Sequence, residues 1–109
     1  MATSYKVLGQ SNPSATTATT LYTVPAATQA VVSTIVICNQ TSSAATFRIA
    51  VRPAGATLAA QHYVAYDVTV GASDSTALTL GITLNATDVI TVYGSTATLS
   101  FAAFGSEIA

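Results

Sequence analysis

ATFRIAVR, residues 45–52, changes side-chain character at every step. Ala45, Phe47, Ile49 and Val51 fall on one side of an extended chain, and Thr46, Arg48, Ala50 and Arg52 fall on the other. A helix would space its apolar residues three and four apart, and no window of the chain sustains that spacing. The stretch predicts a strand with one face in a core. β-branched residues abound on either side of it, which makes the expected fold class all-β.

Outward from this strand the alternation returns. In TALTLGITL (76–84), Leu78, Leu80, Ile82 and Leu84 line one face; in HYVAYDVTV (62–70), Val64, Tyr66, Val68 and Val70 form the expected inward set. DVITVYG (88–94) and TATLSFAAF (96–104) read as two strands joined by a short turn at Gly94-Ser95-Thr96. Turn chemistry marks breaks at 39–43, 53–55, 71–74 and 85–88. About seven or eight short strands predict an antiparallel β-sandwich or jelly roll over residues 21–109.

Two segments depart from the pattern. In LYTVPAATQAVVSTIVICN (21–39), Pro25 separates an entering strand, 21–24, from a longer run whose faces are both apolar. The odd set there is Val31, Ser33, Ile35 and Ile37, and the even set is Val32, Thr34, Val36 and Cys38. Its second face is expected to be covered by the chain itself or by another subunit. Residues 1–20 read as an arm or a first strand: SNPSATTATT lacks periodicity, while SYKVLGQ could add a strand to a neighbouring copy.

The chain has 109 residues, enough for one domain, with three Lys and Arg against four Asp and Glu. Scattered basic residues exclude nucleic acid and a polybasic membrane contact, since both draw affinity from clustered cations. A near-neutral surface favours association, so a homo-oligomer is expected. MATSYKVLGQ carries no apolar stretch of secretory-signal length, and the run 30–38 is far shorter than a membrane-spanning helix. The single Cys38 has no disulfide partner and reads as a small buried hydrophobe in a reducing compartment.

Chemistry is sparse. His62 is the only histidine, and a metal site needs several ligands, so no metal or other cofactor is expected. No serine sits in a nucleophile elbow, and nothing basic near Cys38 in sequence would activate it. A Cys38–His62 hydrolase is therefore set aside and no catalytic residue is assigned. Asp74 and Asp88 lie in turns, where carboxylates cap backbone donors. Arg48 and Arg52, four apart on one face, read either as a docking pair for a carboxylate-bearing partner or as an ordinary wet face. Tyr63, Tyr66 and Tyr93 allow a carbohydrate-binding module if an exposed face gathers them. The expected interface residues are Tyr5, Val7, Val32, Val36, Arg48 and Arg52.

The succession YKVLGQSNPSATTATTLYTVPAATQAVVSTIVICN (5–39), TFRIAVRPAGA (46–56), YVAYDV (63–68), GITLNATDVITVY (81–93) and LSFAAFGSEI (99–108) resembles small virion structural proteins of tailed bacteriophages, particularly cyanophages. The likeness covers nearly the whole chain and contains no catalytic motif. It implies a non-enzymatic β-rich module of the virion, assembled in the host cytoplasm and present in many copies. The expected role is a capsid cement or decoration protein bound to the major capsid protein, with a trimer suited to three-fold positions. A small tail, baseplate or fibre component bound to tail proteins is the alternative within the same class.

Overall fold

A computed structural model describes residues 2–109. Its described residues form nine strands: β1 (Thr3–Ser11), β2 (Thr19–Thr23), β3 (Gln29–Asn39), β4 (Ala45–Arg52), β5 (Tyr63–Val70), β6 (Ser75–Leu78), β7 (Ile82–Leu84), β8 (Val89–Gly94) and β9 (Leu99–Ile108). Single 3₁₀ turns at Pro53–Gly55 and Ala60–His62 interrupt the connection between β4 and β5, and the described residues contain no α-helix.

Two antiparallel sheets pack face to face as a β-sandwich. One has the order β1-β9-β3-β6, with β7 also paired to β3; the other has the order β2-β8-β4-β5. β1 pairs with β9, β2 with β8, β3 with β6 and β7, and β4 with β5. The first half of the chain thus pairs with the second half in reverse order, as one long hairpin whose apex is residues 53–62. Rolled so that successive pairs alternate between sheets, this hairpin is a jelly roll. β6 and β7 then count as one interrupted strand. β8 and β9 lie in different sheets, so the turn after Gly94 crosses the sandwich and does not close a hairpin.

The inward set of β4 is observed as expected: Ala45, Phe47 and Ile49 are buried and Val51 packs against the core, while Ala50, expected on the other side, is buried as well at 1% exposure. Phe47 meets Phe101 of β9 edge-to-face across the sandwich, with ring centroids 6.2 Å apart. Ile35, Ile37, Val70, Ile90, Val92 and Leu99 fill the space around this pair. With Thr28 and Thr91 also buried, Asn39 is the most deeply buried polar residue among those described, 1% exposed. Its amide donates to the carbonyls of Ser43, Val70 and Gly71, while Oδ1 accepts from the Thr41 N–H and the Thr98 hydroxyl. A buried amide so fully bonded ties three chain segments together without an orphaned donor.

β-bulges produce the departures from simple alternation, because an extra residue on one strand exchanges the faces beyond it. In β3, Val32 pairs with Gly105 and Thr34 with Phe104, which leaves Ser33 unpaired. Ala30 and Val32 point inward before the bulge, and Ile35, Ile37 and Asn39 after it. Val32, expected at an interface, is therefore a core residue at 1% exposure. Cys38, expected inside, lies half-buried on the outer face. In β5, register shifts on both sides of the Ile49 pairing put Val64 and Tyr66 outside, at 49% and 56% exposure; of the expected inward set only Val70 is buried, and Val68, though paired with Phe47, is 36% exposed. Leu80 also leaves the face assigned to it. The chain loops out between β6 and β7, where Gly81 has φ +62, and Leu80 is 46% exposed.

The N-terminal segment, apart from residue 1, which lies outside the described residues, contributes a strand to each sheet. β1 is the edge of the five-stranded sheet and β2 the edge of the other, so the sandwich begins at Thr3 and the loop is confined to 12–18.

Candidate functional site

The outer face of the five-stranded sheet is built from alternate residues of its long strands. β1 contributes Tyr5 and Val7, which are 85% and 49% exposed; β9 contributes Phe104, at 36%. Val7 and Thr34 both pair with Phe104, so these side chains share one face. Val31, Val36 and Cys38 of β3 continue it, half-buried. Two shallow hollows dent it: one of 420 Å³ beside Tyr5, Val31 and Phe104, and one of 400 Å³ beside Gln10, Val36 and Cys38.

Charge is sparse on this face: of the charged residues, Lys6 borders the hollow beside Tyr5 and Asp88 one beside Val31 and Thr83. Lys6 bonds Glu107 at 2.6 Å. Glu107 in turn accepts a hydrogen bond from the Tyr22 hydroxyl of β2, across the sandwich. The Lys6 ammonium first, and the Tyr22 phenol second, hold the Glu107 carboxyl below its ordinary value. Burial, reinforced by the carboxylate, pushes the Tyr22 phenol upward, so it stays a donor.

The outer face of the four-stranded sheet is different in kind. Tyr63 and Tyr66 meet edge-to-face with centroids 5.0 Å apart, and the Arg48 guanidinium lies 4.1 Å from the Tyr66 ring centroid and 4.3 Å from that of Tyr93. Arg48 donates from Nε to Asp67 Oδ1 at 2.7 Å and from Nη2 to Oδ2 at 3.4 Å. The Asp67 contact raises the guanidinium further above its already high range. Beside the rings, Leu58, Ala59 and Ala60 wall a groove of 520 Å³.

Arg48 and Arg52 do lie on one face, but neither is a free fork for a partner's carboxylate. Arg48 is engaged by Asp67 and two rings. Arg52 donates from Nε to the Ala56 carbonyl, from Nη2 to that of Gly55 and from Nη1 to the Thr91 hydroxyl, and so pins the turn after β4. His62 is occupied locally, with Nδ1 accepting the Ala59 N–H at 3.0 Å. Asp88 clamps two loops by accepting the Ala54 and Asn85 N–H groups. No group of three His, Cys, Asp or Glu side chains comes together among the described residues.

Of the expected interface residues, the structure brings Tyr5, Val7 and Val36 to one outer face, places Arg48 and Arg52 on the opposite one and buries Val32. Asp67 and Phe104 were missed. The signal for Asp67 was an acid in the middle of a strand run, YVAYDV, where strands disfavour Asp unless a bulge admits it. Asp67 has φ +51, a left-handed conformation that Asp tolerates better than most residues. No family model matches this chain, and no curated protein or solved structure is significantly similar to it.

Proposed function

We propose that this chain is a non-enzymatic structural protein of a tailed-phage particle: a capsid cement protein, oligomeric and seated against the major capsid protein. The observation that carries this reading is the outer face of the five-stranded sheet, topped by the exposed apolar side chains Tyr5, Val7 and Phe104, with the nearby Lys6 already paired to Glu107. A face so poor in charge recognises a partner mainly by shape and apolar burial. Fully burying side chains of this size contributes roughly 1.5–3 kcal/mol each, less the part already covered. Three strands of nine to eleven residues and the short β6 and β7 beside them span roughly 600 Å² of projected sheet. A stable contact needs about 800 Å² per partner, so one face gives a moderate contact that gains from repetition around a shell. Each bound copy stabilises the shell by mass action, without chemistry.

The test is addition of the purified chain to capsids that lack it. The expected result is saturable binding and a higher resistance of the shell to heat or chaotrope, both lost in the double variant Tyr5→Asp, Phe104→Asp. Failure to bind heads, together with co-purification with tails, would assign the chain to the tail, baseplate or fibre apparatus instead.

A further inference from the structure

We propose that the outer face of the four-stranded sheet is a binding site for a neutral saccharide, with Tyr63 and Tyr66, their rings at right angles, as an aromatic corner and the Arg48–Asp67 pair as the hydrogen-bonding rim. This goes beyond the cement reading and does not depend on it, because the two faces are opposite sides of the sandwich.

The site is assembled by the irregularity of β5. In a regular strand, residues three apart point to opposite faces, yet Tyr63 and Tyr66 come within 5.0 Å of each other, centroid to centroid. The shifts between the Val68, Ala65 and Tyr63 pairings bring both rings to the same side. Asp67 is held in a left-handed conformation, which is strained for a residue with a side chain, and its carboxylate is bonded by Arg48. The arrangement places exposed aromatic area beside a groove of 520 Å³, within the range of small-ligand clefts. β5 is also an edge strand, so the groove is open along one side to a ligand that continues beyond it.

Charge selects the ligand class. Clustered tyrosines could cage a cation, but Arg48 already fills that position, 4.1 and 4.3 Å from two ring centroids. An anion would need a free guanidinium fork: Asp67 neutralises Arg48 through two contacts, and the donors of Arg52 are taken by the Ala56 and Gly55 carbonyls and the Thr91 hydroxyl. Single-stranded nucleic acid stacks on such rings only where a basic groove tracks its backbone, and the whole chain has three Lys and Arg. A sugar ring fits what remains. Its apolar C–H face suits an aromatic surface, and its hydroxyls suit a rim that offers guanidinium donors and carboxylate acceptors together.

The experiment titrates the full chain with maltohexaose, cellohexaose, mannohexaose and dextran, with choline and dextran sulfate as charged comparators. Tyrosine fluorescence and two-dimensional NMR report binding. The expected result is saturable, salt-insensitive binding of at least one neutral glycan, with shifts confined to Leu58, Tyr63, Tyr66 and their neighbours. Tyr66→Ala should weaken it about tenfold or more, while Tyr5→Ala on the opposite sheet leaves it unchanged. The NMR map of the unaltered chain keeps the test independent of any variant that misfolds. No binding of the four neutral glycans, stronger binding of choline or dextran sulfate, or shifts on the five-stranded sheet would each overturn the proposal.

Discussion

Glu107 illustrates how single side chains close this sandwich at its edge. Its carboxylate joins Lys6 on the neighbouring strand to Tyr22 on the other sheet. Both partners favour the charged form, so the folded pKa lies below the ordinary value of 4.5. As pH falls, the unfolded chain takes up this proton first, and the contribution of Glu107 is complete above that value and fades as pH drops through the folded pKa. Urea midpoints of the native chain and of Glu107→Gln should therefore differ by a constant amount at neutral pH, and the gap should narrow as the pH falls below the ordinary carboxylate range. A gap that ignores pH would contradict the assignment. None of this partnership was legible beforehand, because 85 residues separate Tyr22 from Glu107 and only the rolled topology brings them together. The turn roles of Asp74 and Asp88 were legible, since a carboxylate bonds donors a few residues away: Asp74 takes the Ser75 N–H and Asp88 that of Asn85.

At the scale of elements, the bulges matter more than the strands they interrupt. β4 pairs with β8 without a register shift, and its sequence alternation gave its faces correctly. β3 and β5 carry bulges, and for them parity counted along the sequence grouped Val32 with Val36 and Cys38, from which the bulge separates it, and assigned Val64 and Tyr66 to the wrong side. Beside the β3 bulge, the backbone comes so close to Gly105 that an added Cβ would lie 2.0 Å from the Val31 carbonyl oxygen and 3.0 Å from the Val32 Cα. Only glycine fits there. Gly105→Ala should destabilise the fold by roughly 1–3 kcal/mol. Ser106→Ala, at the next position on the same strand, should stay within about 0.5 kcal/mol. Chemical denaturation of both variants checks the pair, and equal effects would mean that the close approach relaxes cheaply.

For the whole molecule, the decisive fact is that the first strand pairs with the last. Only the β4–β5 pairing, at the apex of the rolled hairpin, is local by comparison. Closing such distant pairs costs loop entropy before contacts repay it, so refolding should take milliseconds to seconds, as in other β-sandwiches. Stopped-flow tyrosine fluorescence measures this directly, and a microsecond relaxation would contradict it. The rolled topology also creates the two outer faces and gives them different characters, one topped by Tyr5, Val7 and Phe104 and one with an aromatic and ionic cluster. Sequence by itself determined the all-β class, the strand and turn positions and the scarcity of chemistry, because period-two patterning, turn residues and composition are local properties. Only the tertiary structure decided which side of β3 and β5 faces water, which tyrosines meet and what Arg48 holds. Those depend on register, and register is a relation between distant strands that no single stretch of sequence contains.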